Sequence, residues 1–239
     1  LVRPLVKHSW SVQRLESLPE ILHKAFKTAT SGRPGPVHID LSLTIQAERG
    51  DLEVPEPALH KVPGRQRGDA EQIRRAAELL AGAKRPVIMC GSGAKMSGAS
   101  PEILALAEHL AAPVGCAHRG KGVIPEDHFL SLGLCGAEAR RYANKYVAEA
   151  DVILAVGMRF TEPDTSSWQP GAPFEIPPSR LIHIDIDVDE LARYYPTEVA
   201  ICADAKSAVG EILAPALMED YRIVCIQGEA LGGVDEAEA

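Results

Sequence analysis

No cysteine pair in this chain has Cys-x-x-Cys spacing, and no two histidines stand at metal-ligand spacing, so the sequence shows neither a zinc knuckle nor a dithiol redox site. The five cysteines (Cys90, Cys116, Cys135, Cys202 and Cys225) are scattered and odd in number, mostly within apolar runs. They read as buried, reduced thiols of a cytoplasmic protein. Basic charge is also short: 25 Lys and Arg stand against 33 Asp and Glu, for a net charge of -8. That balance excludes non-specific nucleic-acid binding, and the basic run from Lys61 to Arg67, broken by Pro63 and Gly64, does not reverse it. No apolar run approaches the roughly twenty residues needed to span a bilayer. No signal peptide is visible, and there is no internal repeat. A Gly-x-x-x-x-Gly-Lys-Ser/Thr loop and a serine nucleophile elbow are both missing. His8, His23, His60 and His109 stand in surface-like contexts and are read as non-catalytic.

What is present is enough apolar residue, 46%, for a real core in 239 residues, which suits one full domain plus pieces. Apolar spacing at Ile21, Ala25, Phe26 and Ala29 predicts a helix after Pro19. The turn Gly32-Arg33-Pro34-Gly35-Pro36 then leads into a strand over Val37–Leu41. Such a turn-to-strand ending so early in the chain, with Leu1 rather than Met at the start, reads as a piece of a larger protein. Residues 46–68 lack periodicity, and Pro55, Pro57 and Pro63 deny them regular structure, so they are read as a linker.

From Asp69 helices and strands alternate. Helices are predicted over Asp69–Gly82, around Ile103–Leu110, over Glu138–Ala150, over Asp189–Tyr195 and over Ala205–Leu217. Strands are predicted at Pro86–Cys90, Pro113–Ala117, Val152–Val156, Leu181–Ile186 and Val199–Ala203. Continuous apolar strands between helices predict a parallel sheet covered on both faces, a doubly wound α/β fold. The acidic end, 219–239, reads as a disordered tail.

In such sheets ligands bind beyond the carboxyl ends of the strands. Four loops qualify. Gly91-Ser92-Gly93-Ala94 is either a phosphate-approaching turn with free helical N–H groups behind it or a simple tight turn; its glycine spacing does not fit Gly-x-Gly-x-x-Gly. Ala117-His118-Arg119-Gly120-Lys121-Gly122 is a ligand-contacting or a solvated loop. Gly157-Met158-Arg159-Phe160 places an Arg where a phosphate would pair with it. Asp185-Ile186-Asp187 either accepts ribose hydroxyls or caps the next helix.

Assembled in order, these blocks resemble the thiamine-diphosphate enzyme family on its acetolactate synthase branch. Ser31–Val37 is similar to the end of that family's pyrimidine-binding domain, and Ala83–Ile88 with Gly91-Ser92-Gly93 to the opening of its central domain. Gly120–Pro125, Leu132–Gly136, Ala150–Phe160, His183–Asp187 and Ala203-Asp204-Ala205 come next in the family's order, so the likeness runs from about Val2 to Leu217. It implies a pyrimidine-domain remnant over 1–45, a linker over 46–68, a central domain over 69–218 and a non-matching end. It also implies FAD contacts at Arg33, Gly91, Ser92, Gly93, Ala117, His118, Arg119, Leu132, Gly133, Leu134, Cys135, Gly157, Met158, Arg159, Asp185, Ile186, Asp204 and Ala205.

In this family thiamine diphosphate does the chemistry, bound through Mg at a Gly-Asp-Gly…Asn motif in another domain and deprotonated with help from a Glu of the pyrimidine domain. No Gly-Asp-Gly occurs in this sequence. The resemblance therefore implies a domain inactive alone, with no catalytic or metal residue of its own. Its partners would be a small-molecule cofactor and the parent's other domains, in a homo-oligomer. The alternatives are a stand-alone NAD or regulatory module, similar to the sirtuin and deoxyhypusine synthase group, and a non-functional truncation.

Overall fold

The structure is a computed structural model that describes residues 2–53, 64–170 and 173–214. The expected tail 219–239, Pro55, Pro57, Pro63, His60, Lys61 and Cys225 lie outside the described residues. The chain divides into two compact units, Leu1–Arg65 and Gln66–Ala239, at a point inside the segment read as a linker.

In the first unit β1 (Ser9–Val12) pairs in parallel with β2 (His38–Leu41), and α1 (Leu18–Thr30) connects them. The Lys7 ammonium binds the turn after α1, donating to the carbonyls of Thr28, Ser31 and Arg33 at 2.6, 2.7 and 3.0 Å. Three donors on one cation suit the end of a helix, where carbonyls lack intrahelical partners. A short helix, α2 (Leu43–Ala47), comes after β2. The Ser42 hydroxyl caps it by accepting from Ile45 N, and Ile45 packs with Val12 and Leu15. Neither β1 nor α2 is foreseen from periodicity, and α2 occupies the first two residues of the expected linker.

The second unit opens with α3 (Ala70–Ala81). The Asp69 carboxylate caps it by accepting from Gln72 N at 3.0 Å, and Ile73, Ala76, Ala77 and Leu80 form its buried stripe. Strand β3 (Pro86–Cys90), α4 (Ser92–Met96), α5 (Ser100–Leu110), β4 (Val114–Cys116), β5 (Ser131–Leu134), α6 (Arg141–Ala148), β6 (Val152–Val156), β7 (Arg180–Asp185), β8 (Val199–Cys202) and α7 (Ala205–Ile212) complete it. The six strands form one sheet in the order β5-β4-β3-β6-β7-β8, every pair parallel. The fold is the doubly wound α/β fold that the apolar strands predict.

Alternate residues of β3, β6 and β7 feed two cores. Ile88, Leu154, Val156, Ile182 and Ile184 pack with Ile103, Leu106, Val209 and Ile212 of α5 and α7. Val87, Met89, Ile153 and Leu181 pack with Ala143 and Val147 of α6 and with Phe160 and Phe174. Each fully buried large aliphatic side chain contributes about 1.5–3 kcal/mol by leaving water.

Some expectations are corrected. Asp189–Tyr195 is not a helix: a single 3-10 turn covers Val188–Glu190, and Ala192 at φ 55° breaks any continuation. The helix expected from Glu138 begins at Arg141, and the last helix ends at Ile212, the predicted stretch 215–217 lying outside the described residues.

Candidate functional site

The strand order reverses between β3 and β6, which pair from Pro86↔Val152 to Cys90↔Val156. This is the topological switch point, where a crevice opens at the carboxyl ends of the strands. Two glycine turns meet there. Gly91 N donates to Val156 O and Gly93 N to Gly157 O, both at 3.0 Å, while Gly157 N donates to Ile184 O at 2.7 Å. A Cβ on Gly91 would lie 2.2 Å from the Gly157 carbonyl oxygen, and one on Gly157, at φ +56°, would lie 2.5 Å from both Gly93 Cα and Ala94 N. The glycines are thus required by backbone meeting backbone. The Gly91 and Gly93 amides are bonded to carbonyls, and the helix behind them, α4, has five residues.

Met158 is buried and belongs to the core, whereas Arg159 is half-buried. No hydrogen bond or ion pair holds the Arg159 guanidinium among the described residues. The carbonyl of Met158 accepts from Nε2 of His183 at 2.8 Å. His183 is buried, with Phe160 edge-on at 5.3 Å. Burial pushes its pKa down to about 4, against the smaller opposing pull of that hydrogen bond, so the ring is neutral and its Nε2 carries the proton. His183 therefore fixes the loop that carries Arg159, a role that the sequence pattern around it does not reveal.

The other predicted residues of the second unit lie on or beside the ends of its strands. Ala117 N donates to Cys90 O at 2.9 Å, setting the His118–Gly120 turn beside β3; there Arg119 is exposed and Ala117 buried. Leu132, Gly133 and Leu134 are half-buried on the edge strand β5, and Cys135 is fully buried behind Gly115. Burial pushes the Cys116 thiol up to about 11 and the Cys135 thiol up to about 12, and raises that of Cys90. All three are protonated and inert at neutral pH.

At the far side, the Asp185 carboxylate accepts from Asp187 N at 2.9 Å and the Asp187 carboxylate from Asp189 N at 3.2 Å. Ile186, between them, offers its carbonyl to the Cys202 thiol. Asp204 caps α7 by accepting from Ser207 N at 3.1 Å, and Ala205 is buried behind it. Asp187 and Asp204 cap the elements that follow them, and Asp185 holds the turn leading to Asp187. Arg33 lies exposed in the first unit.

Two residues outside the sequence reading join the edge. Asp164 accepts at Oδ1 from both the backbone N and Nδ1 of His118 at 3.3 Å, and Glu138 lies 3.2 Å from His118 Nε2. These acids lie 46 and 20 residues from His118, so only the fold brings them together. Among the described residues, no group of three or more His, Cys, Asp or Glu side chains could hold a metal ion. None of the described helices is long and apolar enough to cross a membrane.

Sheet order and switch point define the chain's main unit as a doubly wound domain with an all-parallel sheet. A model described as the central domain of thiamine pyrophosphate enzymes matches residues 73–212, and the chain belongs to that family. It is 41% identical over 218 residues to the probable acetolactate synthase large subunit of Methanocaldococcus jannaschii, covering 90% of this chain and 36% of that protein. It is 35% identical over 214 residues to the acetolactate synthase isozyme 3 large subunit of Escherichia coli K12, covering 88% of this chain and 37% of that one. Among solved structures, benzoylformate decarboxylase from Polynucleobacter necessarius matches at a TM-score of 0.72 and 25% identity, over 88% of this chain and 38% of that one. The chain therefore spans little more than a third of the length of these relatives.

Proposed function

We propose that this chain is the central domain, with the closing segment of the pyrimidine-binding domain (1–45), of a thiamine-diphosphate- and Mg-dependent enzyme of acetolactate synthase type. The parent decarboxylates a 2-oxo acid and transfers or releases the resulting carbanion equivalent, as a homo-oligomer in the cytoplasm. Alone, this chain holds a nucleotide and turns nothing over. The observation that carries the reading is sequence likeness to acetolactate synthase large subunits over about nine-tenths of the chain. The buried, protonated thiols suit a reducing compartment.

The described residues contain no group of three or more His, Cys, Asp or Glu that could hold Mg, and the sequence has no Gly-Asp-Gly. They fit a phosphate-bearing nucleotide in one respect, the unengaged Arg159 guanidinium at the switch point, with Arg119 on the neighbouring loop. FAD is the nucleotide that the acetolactate synthase likeness favours; a bound flavin supplies an electron-accepting ring, and its pyrophosphate is what Arg159 would hold. The Gly91 and Gly93 amides take no part.

The test uses the purified chain. Its flavin-band absorbance is recorded, FAD and NAD are titrated by calorimetry, and pyruvate turnover is assayed with thiamine diphosphate and Mg. FAD binding without turnover is the expected result. Turnover would overturn the claim of inactivity, and tight NAD binding without flavin would favour the stand-alone NAD module.

A further inference from the structure

We propose that Asp164 is a positioning residue that latches the His118–Arg119 turn to the loop after β6, and that protonation of His118 closes the latch. Three loops converge at this corner of the sheet, those after β4, β5 and β6. The β5 and β6 loops already meet through their backbones. Gly136, at φ +122°, lets the chain approach so closely that a Cβ there would lie 2.5 Å from Pro163 O, and Ala137 N donates to that same oxygen at 2.9 Å. This contact fixes Asp164, whose side chain is 9% exposed. Its Oδ2 accepts from the Thr161 hydroxyl at 2.5 Å, which leaves Oδ1 for the β4 loop.

His118 completes the corner. Its Nδ1 lies 3.3 Å from Asp164 Oδ1 and its Nε2 lies 3.2 Å from Glu138 Oε2. A neutral imidazole has one N–H and one lone pair, so it can donate to only one of these carboxylates and must turn a lone pair toward the other. Only the imidazolium donates to both. The charged groups that act on the ring are the carboxylates of Asp164 and Glu138. Partial burial works against the charge, but the hydrogen bonds and charges of the two acids outweigh it and raise the pKa. Glu138 is 76% exposed, so screening weakens its share and Asp164 carries most of the effect.

A raised pKa stabilises the folded contact fully below the ordinary value of 6.5, and that stabilisation is lost as pH rises through the raised one. Arg119 sits on the latched turn, which the His118 backbone N–H ties to Asp164 Oδ1 at any pH; the imidazolium adds to that hold below the ordinary value, and the added hold is lost as pH rises through the raised one. The latch stands on contacts of the chain without any nucleotide, so it survives or fails independently of the nucleotide reading.

Two measurements on the whole chain test it. The His118 ring resonances are followed by NMR from pH 5 to 9, and amide exchange, corrected for intrinsic rates, is read at His118, Ala137 and Asp164. The ring titrates above its ordinary value, and protection at His118 falls by about two- to fivefold between pH 6 and 9. His118→Gln removes the pH dependence, and Asp164→Asn brings the ring's titration back toward its ordinary value. Titration at or below the ordinary value, protection that does not change with pH, or the same pH dependence in His118→Gln would each overturn the latch. The ring titration needs no variant, so a misfolding substitution leaves the proposal testable.

Discussion

Gly93 donates its amide hydrogen to the carbonyl of Gly157 at 3.0 Å, and the two backbones lie so close that neither residue has room for a Cβ. This contact stitches the β3 loop to the β6 loop at the switch point. A substitution there meets backbone, which cannot swing away like a flexible side chain.

Gly157→Ala is therefore predicted to destabilise the chain by about 3–5 kcal/mol, from a left-handed φ combined with a steric clash. Gly98 is the control. It is also left-handed, at φ +69°, but nothing lies within 4 Å of its Cβ position. Gly98→Ala should cost only the conformational part, about 1–2 kcal/mol. Urea denaturation of both variants checks this, and equal losses would mean that the Gly93–Gly157 approach is not rigid.

Asp151 makes a comparable clasp at the opposite end of the sheet. Its carboxylate accepts from Lys84 N at 2.7 Å and Arg85 N at 2.9 Å, tying the turn after α3 to the start of β6. Asp151→Ala leaves two amides without their partner, at a loss of about 2 kcal/mol, and Asp151→Asn, which keeps one acceptor, loses about half as much. Being at the amino end, neither change should alter nucleotide affinity. An affinity change comparable to that of a carboxyl-edge variant would contradict this separation of stability from binding.

These residues differ in how far the sequence announces them. Strands β3, β6 and β7 are legible because burial on both faces demands unbroken apolar runs such as Val152-Ile153-Leu154-Ala155-Val156. Strands β1 and β5 are not, since Ser9–Val12 and Ser131–Leu134 are short and only partly buried, the second with a glycine in it. Helix α4 is too short to display a period. At the site, the four loops can be placed from strand ends, but what their atoms do cannot. Whether Asp185 meets a ribose or caps a turn depends on Asp187 N lying 2.9 Å away. Likewise, nothing local links His118 to Asp164.

Arg159 separates binding from folding. Its guanidinium has no partner among the described residues, so Arg159→Ala should change stability by less than about 0.5 kcal/mol. If the nucleotide reading holds, the same variant loses a charge-assisted contact to phosphate and FAD binds about 10- to 100-fold more weakly. Calorimetric titration of the two proteins decides it, with thermal melts as the folding control. An unchanged affinity would remove Arg159 from the site.

His183 supplies the pH dependence on the acid side. Its pKa falls from the ordinary 6.5 to about 4 on folding, because burial disfavours the imidazolium. Between those values the unfolded chain takes up a proton that the folded chain refuses, so stability drops as pH falls, by up to about 3 kcal/mol at the lower limit. His183→Leu removes this dependence. It also leaves the Met158 carbonyl without its donor, for a loss of about 1–3 kcal/mol at pH 7. Plotted against pH between 5 and 6.5, the wild-type denaturation free energy should slope upward and that of the variant should be flatter. His118 acts with the opposite sign above its ordinary value, so His183→Leu should flatten the acid limb and spare the alkaline one. Parallel curves for the two proteins between pH 5 and 6.5 would show that His183 is not held neutral in the fold.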